Sequence, residues 1–271
     1  KELPMDETIT SRKNPIITRM AKLSDKKHRD AEGLFRIDGV KLFSEAVSVG
    51  LSVEYVFLSD AKREKLMHEL AEPLASCGGR IVPVTEEVLA KLTEEQAPQG
   101  IVAVVRKLPA FPPEIPAGEF RALWLSGIRD PGNVGTMIRA ANAFGVDRVY
   151  LSADCADIYS PKVLRAAMGC AFRQPISIIR DELAFAREMQ DAGCAFYTAA
   201  LSRNARRLGS FTLPDRVCFA VGNEGHGLDD ALIEASSGAV FIPMAPGCES
   251  LNAASAATVL LWEMCRDRLT R

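Results

Sequence analysis

The sequence predicts an α/β protein in two parts: a C-terminal domain built on a parallel sheet and a smaller N-terminal α/β domain. Three observations predict this. After residue 118, short apolar runs rich in β-branched and aromatic residues alternate strictly with helical patterns. A shorter alternation of the same kind precedes residue 108. Between them LPAFPPEIPAG, Leu108 to Gly118, holds four of the fifteen prolines. Such a stretch can form neither a helix nor an internal strand and reads as a semi-rigid linker. The expected organisation is therefore 1–107, a linker over 108–118, and 119–271.

In the first part, a basic helix over about 14–31 leads into GLFRIDG, a short strand. VKLFSEAVSVG has helical apolar spacing and ends at Gly50. VEYVFLS reads as a strand, REKLMHELAEPLASCG as a helix, RIVPVT as a strand and EEVLAKLTE as a helix, and GIVAVVRK closes the unit as a strand. In the second part, RALWLSG, DRVYLS, ISIIR, CAFYTAA, VCFAVG and GAVFIP are strands. The helices between them are NVGTMIRAANAFG, SPKVLRAAMG and DELAFAREMQDAG, then a short one after NEGHGLDD. LSRNARRLGSFTLPDR is a long loop, and AASAATVLLWEMC is the last helix.

Composition limits the function classes. Of 271 residues, 48% are hydrophobic and 25% charged, the balance of a folded soluble protein, and no apolar run approaches a membrane span. The opening KELPMDETITSRKN is polar, unlike a secretory signal. Seven scattered cysteines show no CxxC or Cys/His ligand spacing, so they read as small buried residues in a reducing, cytoplasmic compartment, with no metal site. The net charge of −2 does not announce a nucleic-acid binder. Its distribution does: Arg12, Lys13, Arg19, Lys22, Lys26, Lys27 and Arg29 face one acid, Asp25. That cluster can track a phosphate backbone or form a solvated helix face. His28 and His68 fall on polar helix faces and read as solvated.

Ligands of open α/β sheets bind beyond the carboxyl ends of the strands. There the first C-terminal strand is followed by Asp130-Pro131-Gly132-Asn133, a turn in which Asn133 can cap a helix from Val134. Arg139 follows on an otherwise apolar, small-residue helix, where a salt bridge is the ordinary expectation. Arg203, Arg206 and Arg207 form a second basic cluster in the long loop. Gly222-Asn223-Glu224-Gly225-His226-Gly227 permits close backbone approach to a ligand but is not the GxGxxG fingerprint, which excludes an ordinary dinucleotide site. The last such loop carries Pro246-Gly247-Cys248-Glu249-Ser250-Leu251-Asn252. Asn133, Arg139, Glu224, Ser250 and Asn252 all fall at one sheet edge, which points to a ligand site.

Three blocks, PGNVGTMIRAANAFGVDRVYL, FAVGNEGHGL and IPMAPGCESLNAASAATVLLWE, resemble in order and spacing the motifs of the SpoU (TrmH) family. YSPKVLRAAMGCAFRQP also fits the family pattern, and the resemblance covers about Phe120 to Arg271. FRIDGVKLFSEAV is the best match to the ribosomal-protein-like RNA-binding domain often fused to these enzymes. The resemblance implies an S-adenosylmethionine-dependent RNA ribose 2′-O-methyltransferase of the SPOUT superfamily, a C-terminal trefoil knot, and a homodimer whose active site draws on both subunits. It implies that the cofactor rests around Ala200, Leu201, Gly222, Ile242, Met244 and Leu251. It gives Asn133, Arg139, Glu224, Ser250 and Asn252 the polar catalytic roles. By analogy with the fused domain, 23S rRNA is the expected substrate. Transfer RNA, a base methyltransferase of the superfamily and a non-catalytic RNA-binding member are the alternatives. Cys248 stands where the family has an aliphatic residue. It reads as a small hydrophobe, since no basic partner lies nearby in sequence to activate it.

Overall fold

The computed structural model describes residues 7–200, 204–223, 225–247 and 250–269. They form two compact units. The first comprises residues up to Pro109 together with Tyr159–Phe172, and the second Ala110–Ile158 together with the chain from Arg173 onward.

The first unit opens with α1 (Pro15–Ala21) and α2 (Lys26–Glu32), two helices where the sequence suggested one. The break is at Asp25, whose backbone is extended and whose side chain accepts a hydrogen bond from the Lys27 amide, which starts α2 afresh. Then follow β1 (Leu34–Asp38), α3 (Val40–Ser48), β2 (Val53–Ser59), α4 (Arg63–Glu69), α5 (Ala71–Ser76), β3 (Arg80–Val84), α6 (Glu86–Leu92) and β4 (Ile101–Arg106). Where one helix was expected over the fourth and fifth, Leu70 separates two. Pro73 lacks an amide and its ring crowds the carbonyl four residues back, so the helix cannot run through.

The sheet order is β1-β4-β2-β3, with β2 and β3 parallel and the other pairs antiparallel. β3 tolerates Pro83 because it is an edge strand; there the Pro83 carbonyl accepts from the Ile9 amide. The core combines Phe57, Val82, Val102 and Val104 from the sheet with Ile17, Met20, Leu23, Val88, Leu89 and Leu92 from the helices. Helix α8 (Pro161–Ala167), capped by Ser160, belongs to this unit, where Phe35 of β1 packs against Tyr159 and Phe172.

The second unit holds β5 (Phe120–Leu125), α7 (Pro131–Ala143), β6 (Arg148–Ser152), β7 (Ile176–Ile179), α9 (Glu182–Asp191), β8 (Ala195–Ala199) and β9 (Arg206–Arg207). It ends with β10 (Arg216–Val221), α10 (Asp230–Glu234), β11 (Gly238–Phe241) and α11 (Ala253–Cys265). Its sheet runs β7-β6-β5-β10-β8-β11-β9, and every pair is parallel. The expected parallel α/β domain is therefore present. Strands β5 and β10 are buried along nearly their whole length, as strands covered on both faces must be. The short β9 lies within the stretch expected to be only loop, pairing Arg206 and Arg207 with Val240 and Phe241.

Arg29 corrects the reading of the basic cluster. It is 3% exposed, and its Nη1 donates to the carbonyls of Leu23 (2.9 Å) and Ser24 (2.7 Å), tying down the turn between α1 and α2. It is part of the interior and unavailable to a phosphate backbone. Replacing Arg29 with Met should destabilise the protein by about 1–3 kcal/mol, the cost of orphaning buried carbonyls. The exposed Lys27→Met should stay within about 0.5 kcal/mol of wild type. Urea unfolding of both variants checks this; equal stabilities would overturn the structural role given to Arg29.

Candidate active site

Strands β5, β6 and β7 step one way across the second sheet, while β10 pairs on the opposite side of β5. The connections leaving β5 and β10 therefore run towards opposite sides of the sheet, the arrangement that places ligands at the carboxyl edge of such folds. The loop after β5 is fixed from several sides. The Ser126 amide donates to the Val221 carbonyl at 2.9 Å. Its hydroxyl donates to Glu182 at 3.0 Å, beside the Trp124 indole at 2.9 Å. Burial pushes the Glu182 carboxyl above the ordinary range, against the pull of these two donors. The Gly127 amide donates to Ser152 Oγ, whose hydroxyl donates to Asp154 and holds that carboxyl below its usual range.

Helix α7 starts earlier than the sequence suggested. Asp130, not Asn133, is its cap: the Asp130 carboxylate accepts from the Asn133 amide at 2.7 Å, and Pro131 opens the first turn. The Asn133 side chain is thereby released from capping, and its Oδ1 accepts from Asn252 Nδ2 at 3.1 Å. Asn252 in turn caps α11, its Oδ1 accepting from the amides of Ala254 and Ser255. The side-chain amide bridge joins residues 119 positions apart. Helices α7 and α11 pack together behind it.

Beyond β8 and β11 lies a cavity of about 150 Å³ lined by Ala199, Ala200, Ile242, Met244, Ser250 and Leu251, with Ala256 and Leu260 of α11 behind them. Ala200, Ile242, Met244 and Leu251, four of the expected cofactor residues, share this wall. Gly222 is not among the lining residues. Its missing Cβ serves the loop itself, since a Cβ there would lie 2.4–2.5 Å from the backbone of Gly227 and Leu228. The absence of a Cβ at Gly222 is thus required by the turn itself, whatever its backbone contacts. Asn223 holds that turn: its Oδ1 accepts from the Gly225 and His226 amides, and its Nδ2 reaches the Gly127 carbonyl at 2.8 Å. The sequence reading passed over Asn223, although Asn between glycines is an Asx-turn signal.

Arg139 is exposed on α7 and has no ion-pair or hydrogen-bond partner among the described residues, so the ordinary salt-bridge reading does not hold within them. It does not line the cavity. Leu201, Arg203, Glu224 and Cys248 lie outside the described residues. Arg206 stacks over Phe211 at 3.3 Å from the ring centre, and Arg207 is exposed. Among the N-terminal cations, Arg19 is paired with Glu32 and Lys26 with Asp30. Arg12, Lys13, Lys22 and Lys27 are exposed and carry no ion pair among the described residues. No cluster of potential metal ligands occurs among those residues.

The cavity's chemistry suits a flat, mostly apolar group carrying a few polar atoms. Aliphatic side chains line it, Ser250 adds a hydroxyl, and the coil from Ile242 to Ala245 borders it. The adenine end of an adenosine derivative is a group of this kind and of this size. The turn at Gly222 offers a direct check on the site's scaffold. Gly222→Ala should cost at least about 1–3 kcal/mol by overpacking against backbone. Gly225→Ala meets only Asn223 Oδ1 at 3.4 Å and should be nearly neutral. Thermal or urea unfolding decides, and a stable Gly222→Ala would contradict the close approach.

Comparison with known proteins agrees with this geometry. The model of the SpoU rRNA Methylase family matches residues 121–262, and that of the MRM3-like substrate binding domain matches residues 14–103. The chain is 33% identical over 258 residues to the 23S rRNA (guanosine(2553)-2'-O)-methyltransferase RlmP of Bacillus subtilis, covering 94% of this chain and 98% of that one. It is 30% identical over 273 residues to the 23S rRNA (uridine(2479)-2'-O)-methyltransferase of Streptomyces viridochromogenes, covering 98% and 94%. The AdoMet-bound rRNA methyltransferase from Sinorhizobium meliloti superposes with a TM-score of 0.84 at 30% identity, covering 97% of this chain and 99% of that one. The AdoMet complex of the SpoU methyltransferase AviRb from Streptomyces viridochromogenes also gives 0.84, at 27% identity over 94% and 98%. Two matched domains in order, and similarity along nearly the full length of both chains, make this protein a member of the SpoU rRNA methylase family.

Proposed function

We propose that this protein transfers a methyl group from S-adenosylmethionine to a ribose 2′-hydroxyl of structured RNA, and that its substrate is 23S rRNA. The observation that carries this reading is the Asn133–Asn252 bridge standing at the N-termini of α7 and α11, beside the cavity bordered by Ser250 and Leu251. Helix N-termini present partial positive charge and suit a phosphate or a developing alkoxide. Two of the relatives above are named for 2'-O-methylation of 23S rRNA, at a guanosine in one and a uridine in the other. That supports ribose as the common target and leaves the identity of the base to each protein. Transfer RNA is the second reading, because other relatives carry the name tRNA/rRNA methyltransferase.

Ala200, Ile242, Met244 and Leu251 would hold the cofactor, whose sulfonium presents an already electrophilic methyl carbon. The protein's work is orientation and stabilisation of charge on the 2′-oxygen. Ser250 and Asn252 orient the ribose and the polar end of the cofactor. Arg139 grips the phosphate beside the target and places positive charge near the oxygen. A guanidinium holds its proton too strongly to act as a base at neutral pH, so the hydroxyl proton passes to water or a phosphate oxygen. Glu224 joins this polar set by ordering its loop.

An exposed Arg139 without a partner among the described residues fits a homodimer in which each subunit serves the other's cavity. The apolar Val259 and Trp262, exposed on α11, would be covered in that dimer. The C-terminal segment forms the trefoil knot in this reading. Arg12, Lys13, Lys22 and Lys27 contact the RNA backbone, aided by Arg203 and Arg207. The reaction takes place in the cytoplasm, without a metal.

Arg139→Ala should lower methyl transfer at least about a hundredfold, in the range found for a lost oxyanion donor. Calorimetry should find its affinity for S-adenosylmethionine within a few-fold of wild type. Maps of 2′-O-methylation in total RNA, with and without the gene, should differ at one 23S rRNA position. Identical maps would overturn the function, and near wild-type turnover by Arg139→Ala would overturn that residue's role.

A further inference from the structure

Beside the cofactor cavity the second unit holds an arginine plane with one face open among the described residues. Strand β9 joins the sheet in register, Arg206 opposite Val240 and Arg207 opposite Phe241. Val240 and Phe241 both line the cavity, and neighbouring strands stand only about 4.8 Å apart. Side chains alternate across a sheet, so Arg206 shares a face with Val240 and with Ala199, which pairs with Val240 from the other side. Ala199 lines the cavity as well. Tyr197, two residues earlier on β8, is on that face too, and the Arg206 guanidinium reaches to 6.0 Å from its ring centre. Arg206 therefore springs from the sheet face that bears the cavity.

The local sequence explains how the guanidinium is held. Arg207-Leu208-Gly209-Ser210 is a turn, in which the Ser210 amide and hydroxyl both donate to the Arg207 carbonyl, at 3.1 and 2.7 Å. Gly209, with φ 78°, supplies the left-handed backbone that the third position of a type II turn needs. The reversal brings Phe211 back beneath Arg206, whose Cζ stands 3.3 Å from the ring centre. At that separation a guanidinium set on edge would drive a nitrogen into the ring, so the two planes lie flat together. Tyr197 does not cover the other side. Its ring centre is 5.5 Å from that of Phe211 and 6.0 Å from Cζ. A triangle of 3.3, 5.5 and 6.0 Å puts Tyr197 on the Phe211 side of the guanidinium.

Arg206 is exposed and has no ion pair among the described residues. A carboxylate partner would have occupied its N–H donors in the plane. A ring beneath it instead covers one face, fixes the plane and leaves the other face open. Phosphate recognition uses the rim of a guanidinium and gains nothing from a fixed face. Unpaired bases do use one, since they stack on arginine planes and aromatic rings.

We infer that the outer face of the Arg206 guanidinium is a stacking platform for an unpaired base of the RNA substrate, one that flanks the methylated nucleotide. The inference rests on RNA being the substrate, as proposed above.

Fluorescence anisotropy of the full chain with labelled hexa-adenylate, hexa-uridylate and a hexamer of abasic ribose phosphates tests it. All three RNAs carry the same charge. Hexa-adenylate should bind at least about fivefold tighter than the abasic hexamer, the lower end of what one stacked base contributes, with hexa-uridylate between them. Arg206→Lys keeps the charge and loses the plane. It should remove most of that preference and leave the salt dependence of binding unchanged. Arg207→Met should instead weaken all three alike and lower the slope of log K against log salt by about 0.7, one single-strand phosphate contact. Both positions are exposed, so both variants should fold, and the abasic comparison needs neither. Equal affinities for hexa-adenylate and the abasic hexamer, or no measurable binding, would overturn the inference. So would an Arg206→Lys variant that weakens all three RNAs alike, or none. Calorimetry should find S-adenosylmethionine affinity in Arg206→Lys within about twofold of wild type; a larger loss would assign the platform to the cofactor and overturn the inference as well. A base preference that Arg206→Lys removes, without rRNA methylation by the wild type, would retain this inference and remove the proposed function; methylation without the preference would do the reverse.

Discussion

Strand β10 pairs with β5 on one side and β8 on the other, and the site depends on that pairing. In register, Phe219 stands between Leu123 and Tyr197, and all three strands point the same way. Parallel direction puts every strand's carboxyl end on one edge, so the polar loops emerge together. The reversal of order at β5 then keeps the loops after β5 and β10 from covering each other's exit. Asn223 spans the two by reaching the Gly127 carbonyl, and the tight approach of Gly222 to Gly227 keeps that loop narrow enough to do so. A one-residue slip of β10 would turn its alternate side chains to the wrong face and move Asn223 off its carbonyl.

The two helix N-termini at this edge are capped by different means, and the difference has a chemical consequence. Asp130 caps α7 with a carboxylate, and Asn252 caps α11 with an amide. An amide oxygen can satisfy helix donors while its nitrogen donates elsewhere, which a carboxylate cannot do. Asn252 uses both halves, accepting from Ala254 and Ser255 and donating to Asn133. The neutral amides thus bring the two helix ends together without adding a second negative charge to that of Asp130. An aspartate at 252 would cap as well but would have no N–H to donate to Asn133.

The fold class was legible because parallel strands buried on both faces read as continuous apolar runs, and β5, β8 and β10 are such runs. The cavity wall was legible through the family resemblance, which placed Ala200, Ile242, Met244 and Leu251 together although about forty to fifty residues separate the first from the rest. Partnerships were not legible. Arg29 and Lys27 are two cations on one short helix, yet one is interior and the other faces solvent, because the carbonyls of Leu23 and Ser24 turn towards Arg29 alone. Arg206 is exposed like Arg207, yet its guanidinium lies over the ring of Phe211, a partner that residue type and spacing do not announce. Asn133 and Asp130 are both good caps by residue type, and only the position of Pro131 at the first turn separates them.

A net charge of −2 and an RNA substrate are compatible because the relevant charge is local. At physiological ionic strength exposed charges are screened over about 8 Å, so a distant acid does little to a lysine at the RNA surface. What matters is whether each cation already has a partner. Arg19 and Lys26 are held by Glu32 and Asp30, and such pairs exchange one counter-ion for another when a phosphate arrives, at little net gain. Arg12, Lys13, Lys22 and Lys27 have no ion pair among the described residues, so each can release condensed counter-ions on contact with a phosphate. The seven-residue basic cluster of the sequence therefore reduces to four cations in electrostatic terms. Arg29 fixes the turn that joins their helices, and the two paired residues set the helix surface from which they project.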